Sequence, residues 1–221
     1  MEQKEDKKPG KVMHNLIILD ESGSMGSIRA QALSGVNETI MTIRSAQKKM
    51  PYMHQMLTFV TFDSRGDGRN VRTIFEDVPI AEVRNLTESD YEPIGGTPLY
   101  DAMGMSLAKL QHKVNKDDHA LVTIITDGLE NASHEYSGKA IKDIVALLRD
   151  KGWIFAYIGA NQDAVEVATD LNIDNAMNFD ATPDGTDKMF NEVAECCMCY
   201  MSDVYEEKEL KRGDFFKRRR K

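Results

Sequence analysis

The sequence predicts an α/β protein: a three-layer, doubly wound, mostly parallel sheet with one antiparallel strand at its edge. Three features lead there. Short apolar, β-branched runs such as "LIILD" and "LVTIITD" alternate with longer stretches of helical periodicity. Those runs are apolar at consecutive positions, as strands buried on both faces are. One pair of runs is joined by too few residues for a crossover helix, which makes that pair antiparallel.

Taken in order, residues 1–11 are a charged, solvated leader, and 12–19 form the first buried strand. Over 27–50, Ile28, Leu33, Val36, Ile40 and Ile43 recur at the spacing of an amphipathic helix, and Pro51 ends it. "MLTFVTFD" (56–63) is a second strand. After the glycine-rich "SRGDGRN" turn comes "VRTIFEDV", where Val71, Thr73 and Phe75 alternate with Arg72, Ile74 and Glu76. "PIGGTPLYDAM" leads into a helix over 99–114, and "HALVTIITD" (119–127) is a third buried strand. "SGKAIKDIVALLRDKG" is a helix closed by Gly152, followed by the strand "WIFAYIGA". A helix over 162–171, a short strand over 177–179 and a last helix over 183–207 complete the alternation. The folded unit is expected at 12–205, with a charged tail over 206–221.

At 221 residues the chain suits one large domain better than two small ones, and 41% apolar with 29% charged residues is ordinary for a globular protein. Its formal charge of −8 argues against nucleic-acid binding by the main body. The five basic residues 217–221 leave −13 on the rest, and this tail suits an acidic surface. No run reaches the roughly 20 apolar residues that span a bilayer, and the N-terminal residues lack a signal peptide's apolar core. Three crowded cysteines, Cys196, Cys197 and Cys199, make no disulfide framework, so a cytoplasmic setting is expected. Their CxxC spacing lacks partners for zinc and reads as core packing on a helix.

Ligands of such sheets bind beyond the carboxyl ends of the strands, where strand order reverses. Asp20 and Asp127 both end predicted strands. Asp20, Ser22 and Ser24 fall at alternate positions, so an extended chain presents their oxygens to one side, and Gly23 lets it curl. Thr97 sits in a Gly-Gly-Thr-Pro loop that permits close backbone approach. Carboxylates and hydroxyls without Cys or His suit a hard divalent ion, Mg²⁺ or Mn²⁺. Taken alone, Asp20 to Ser24 reads as an Asx-turn and helix N-cap, and only with Thr97 and Asp127 does the ion reading prevail.

Together, "DESGS", "GGTPLYDA" and "TDGLEN" resemble the von Willebrand factor type A domain and its metal-ion-dependent adhesion site, over residues 12–205. The resemblance implies a Rossmann-like fold in which Ser22, Ser24 and Thr97 contact the ion through hydroxyls. Asp20 and Asp127 then bind it directly or hold its waters. If both act through water, the first shell is hydroxyls and water around a doubly charged ion, with a position open to an Asp or Glu carboxylate of a protein partner. The function expected is metal-dependent protein interaction, not catalysis. The alternatives are a metal-dependent hydrolase or phosphatase on a similar sheet, and a scaffold whose site is unused. A haloacid-dehalogenase-like phosphatase needs a second Asp two residues after the first, where Ser22 stands, and phosphate-loop motifs are absent.

Other features take plainer readings. Asp63 caps a turn, and Arg65-Gly66-Asp67 is a hairpin turn rather than an adhesion tripeptide. His14, His54, His112, His119 and His134 form no ligand pattern and are structural or at the surface. Glu130 and Asn131 either line the crevice or belong to the loop before the next helix.

Overall fold

The computed structural model describes residues 10–65, 70–160 and 164–217. Its strands are β1 (Lys11–Asp20), β2 (Met53–Asp63), β3 (Asn70–Pro79), β4 (His119–Thr126), β5 (Ile154–Ala160) and β6 (Asn175–Phe179). Its α-helices are α1 (Arg29–Lys49), α2 (Leu99–Leu110), α3 (Gly138–Asp150), α4 (Ala164–Asp170) and α5 (Pro183–Tyr205). The strands form one sheet in the order β3-β2-β1-β4-β5-β6. β3 runs antiparallel at one edge and the other pairings are parallel. The predicted mostly parallel α/β sheet is therefore present.

The chain leaves β1 for β2 and β3 on one side, then crosses to β4, β5 and β6 on the other. The reversal falls between β1 and β4, and their carboxyl ends frame the crevice expected of such a sheet. Register fixes the depth of that crevice: Leu19 pairs with Ile125, so Asp20 comes level with Thr126 and one residue short of Asp127.

Side-chain alternation divides β1 between two cores. Met13, Ile17 and Leu19 face α1 and α5, while Leu16 and Ile18 face α2, α3 and α4. On α1, Ala32, Val36, Ile40 and Ile43 make the buried stripe that the sequence period requires. On α3 the stripe is Ile141, Val145 and Leu148. Ser137 Oγ accepts from Ala140 N at the start of α3, and Gly152, with φ of +90°, follows its end. Thr182 caps α5 by accepting from Gly185 N, with Pro183 in the first turn.

Several boundaries differ: β2 begins at Met53 rather than 56 and β6 at Asn175 rather than 177, and three further differences have a visible cause. Residues 23–28 form a 3₁₀ turn, so α1 starts at Arg29. α2 ends at Leu110, and Lys113 and Val114 bond back to the Leu110 carbonyl as turns. Past α5 the chain folds back instead of trailing away: Phe215 is buried edge-on to Tyr200, and its N–H donates to Asn175 Oδ1. The segment is charged, but this phenylalanine returns it to the core. Cys196 and Cys197 are buried in α5, Cys199 is half-buried, and burial pushes the Cys197 thiol up to about 12. Most of the leader, residues 66–69 of the hairpin turn, and the basic run 218–221 lie outside the described residues.

Where α1 meets α5, a methyl group on Gly35 would lie 2.1 Å from the Phe190 ring. Gly35→Ala gains about 1 kcal/mol of helix propensity but overpacks this contact by about 1–3 kcal/mol. The expected result is a lower unfolding midpoint in urea, partly restored when Phe190→Leu is added.

Candidate metal centre

The site begins with Asp20, whose side chain is fully buried where β1 ends. Its Oδ1 accepts from Ser22 N at 2.7 Å, which turns the chain out of the strand. Its Oδ2 accepts from Thr126 Oγ1 at 2.6 Å, tying β1 to β4. The Tyr91 hydroxyl donates to the Asp20 carbonyl at 2.7 Å. Ser22 and Ser24 then lie with their hydroxyl oxygens 3.1 Å apart, and Ser24 Oγ donates to Asp127 Oδ1 at 2.6 Å.

Thr97 arrives from a separate loop and is held by Asn131 at both backbone groups. Its N–H donates to Asn131 Oδ1 at 2.9 Å, and its carbonyl accepts from Asn131 N at 3.1 Å. Gly96 permits this fit, because a side chain there would come within 2.8 Å of Asn131 Oδ1. Gly128 marks where the oxygens converge. A methyl placed on it would lie 3.1 Å from Thr97 Oγ1, 3.9 Å from Ser24 Oγ and 4.0 Å from Asp20 Oδ2. Three chain segments thus direct oxygens to one small space, and the hydroxyl contacts through Ser24 join Ser22 and Asp127 to it. The structure brings all five residues singled out in the sequence together.

Burial pushes the Asp20 carboxyl up to about 6, against the hydrogen bonds from Thr126 and Ser22, and the nearby Asp127 charge adds to the rise. Burial likewise raises Asp127, opposed by the Ser24 hydroxyl. Tyr91 is pushed well above the ordinary phenol value by burial, and by the negative charges of Asp20, Glu21 and Asp127. Two carboxylates short of compensating charge, with three hydroxyls around them, make a donor set that a hard divalent cation fits. Among the described residues no three His, Cys, Asp or Glu side chains cluster as a metal group. Here hydroxyls outnumber carboxylates.

Thr126, Tyr91 and Glu21 also build the site and were not singled out. Asp63 takes the turn role expected of it, accepting from Arg65 N at 2.7 Å and Arg65 Nε at 2.6 Å. Glu130 and Asn131 serve the loops. Glu130 Oε2 accepts from Tyr100 N in the first turn of α2, and Oε1 accepts from Ala132 N and Ser133 N. His14 is buried with Nδ1 2.7 Å from Asp77 Oδ1, away from the cleft at the other end of β1.

No sequence family and no curated protein matches this chain. Solved structures do. The von Willebrand factor domain of the type V pilus tip protein Mfa5 from Porphyromonas gingivalis is similar over 90% of this chain and 98% of its own, with TM-score 0.61 at 11% identity. The SpRpn10 VWA domain is similar over 81% and 94%, with TM-score 0.51 at 13% identity. The pilus adhesin SpaC from Lactobacillus rhamnosus GG is similar over 86% of this chain, with TM-score 0.64 at 13% identity. This chain spans 31% of that adhesin's length. The chain has the fold of von Willebrand factor type A domains.

The raised Asp20 carboxyl has a thermodynamic signature. With a folded value near 6 against 3.8 unfolded, the native state holds the extra proton between those values. Its contribution is therefore complete below about pH 4 and lost as pH rises through 6, on the order of 3 kcal/mol in all. Urea unfolding in the presence of chelator is expected to show this fall between pH 4 and 7, and Asp20→Asn is expected to flatten it.

Proposed function

We propose that this chain is a metal-dependent protein-interaction module. On this reading the hydroxyls of Ser22, Ser24 and Thr97 hold Mg²⁺ or Mn²⁺, with Asp20 and Asp127 binding it directly or through water. The bound ion supplies a positive position that accepts an Asp or Glu carboxylate from a protein partner. The observation that carries the reading is the convergence of Asp20 Oδ2, Ser24 Oγ and Thr97 Oγ1 on the space over Gly128.

The surroundings favour a protein as the ligand. Ile94 and Leu129 are exposed large apolar side chains, three residues before Thr97 and two after Asp127. An acidic residue flanked by an apolar one suits that rim. Catalysis is not proposed, because Ser22 stands where a phosphatase of this outline would carry its acid and hydrogen-bonds to Ser24 instead. The pilus neighbours are named for adhesion or tip roles, which is compatible with binding as the function. The reducing, cytoplasmic setting belongs to the same proposal and rests on the free cysteines of α5. Among the described residues no helix is long and apolar enough to cross a membrane.

Affinity capture from the native cell, run with Mg²⁺ and with chelator, tests the reading. Retention of an acid-bearing partner only with metal is the expected result, and equal capture in both arms overturns it. Thr97→Ala is expected to weaken metal-dependent capture at least about tenfold while the unfolding midpoint stays close to wild type. Gly128→Ala sets a methyl in the cradle and is expected to lower Mn²⁺ affinity in calorimetry without unfolding the chain.

A further inference from the structure

Glu21 stands between Asp20 and Ser22, and by position alone it reads as one more acid for the ion. The structure turns it away. Its side chain is fully buried, and Arg72 Nη2 from β3 donates to both of its oxygens, at 2.6 and 2.8 Å. Glu92 N donates to Oε1 at 2.5 Å, and Arg65 Nη2 lies 3.4 Å from the same oxygen. The backbone of Glu21 is engaged as well: its N–H donates to the Phe62 carbonyl, and its carbonyl accepts from Ile94 N, each at 2.8 Å.

The same arginines grip the segment that leads to Thr97. Arg72 Nη2 donates to the Asp90 carbonyl at 3.1 Å, and Arg65 Nη2 to the Glu92 carbonyl at 2.6 Å. Farther along, Gly23 N donates to the Gly95 carbonyl at 3.0 Å and Gly96 N to Ser64 Oγ at 2.5 Å. Gly95, at φ of +75°, and Gly96 leave the approach to Thr97 free to take other backbone courses. Outside contacts must therefore fix its course, and Glu21 supplies the contacts at its start.

We infer that Glu21, locked by Arg72 and Arg65, is a positioning residue of the metal centre: it sets the path of residues 92–97 and so holds the Thr97 hydroxyl over the Asp20–Ser24 turn. The inference rests on the metal reading above. Without the lock, the 92–97 segment samples arrangements in which Thr97 is out of reach. Apparent affinity then falls in proportion to the competent fraction.

Mn²⁺ binding to the full chain, measured by calorimetry alongside thermal unfolding in chelator, tests this. Glu21→Gln keeps the volume but removes the charge that Arg72 and Arg65 share, and is expected to weaken Mn²⁺ binding about tenfold. Arg72→Met, on the edge strand and about one-third exposed, provides a second variant should Glu21→Gln fail to fold. Asn175→Ala serves as the control. Asn175 is buried and tied to Phe155, Arg212 and Phe215 far from the cleft, so its loss is expected to lower the midpoint but leave Mn²⁺ affinity unchanged. Wild-type affinity in both Glu21→Gln and Arg72→Met overturns the inference, as does an equal loss in Asn175→Ala. A wild-type chain that binds no Mn²⁺ overturns the metal reading, and this inference with it.

Discussion

The parallel pairing of β1 with β4 is the constraint on which the rest of the site depends. These strands are distant in sequence and adjacent only because strand order reverses between them. Their register sets the buried Asp20 carboxylate against the Thr126 hydroxyl and brings Asp127 to the same rim. A shift of one residue would turn Asp20 to the opposite core, because side chains alternate faces. The apolar residues that fill both faces, Leu16 and Ile18 on one and Ile17 and Leu19 on the other, therefore fix the chemistry as firmly as the oxygens do.

Several buried acids lie toward this end of the sheet without forming a group, and the chain treats them in two ways. Asp63 receives the Arg65 backbone and guanidinium, and Glu21 receives two arginines and an amide. Asp101 accepts the N–H groups of His134, Glu135 and Tyr136. Asp20, by contrast, has one amide and the hydroxyls of Thr126 and Ser22, none of them charged, and these hydrogen bonds do not offset the loss of water. Adjacent carboxylates in this condition favour a cation, because the cation relieves desolvation and mutual repulsion together.

Much of the fold was legible because its signals are local. Apolar runs ending on acids, Pro51 and Gly152 at helix ends, and the short hairpin connection all act within a few residues. The five oxygen-bearing residues stood out through short segments too, but it was the resemblance of those segments to the type A domain pattern that joined them into one candidate site. Thr126 and Glu21 did not stand out. Thr126 matters only through the β1–β4 register, which no single segment encodes. By sequence Glu21 groups with its acidic neighbour, and only the fold brings Arg72, fifty-one positions away, onto it. Glu130 and Asn131 stayed ambiguous because both roles call for polar residues in a loop. The packing of α2's first turn onto that loop decided the matter.

Depth has one more result. Asp20, Ser22, Thr97 and Asp127 are all buried at 5% exposure or less, while Ser24 lies open to solvent. Of the five residues, the serine turn at Ser24 is therefore the one that meets solvent. Entry belongs to a projecting side chain, and its length becomes a criterion of selection: on the proposed reading, aspartate and glutamate reach to different depths and are not equivalent guests.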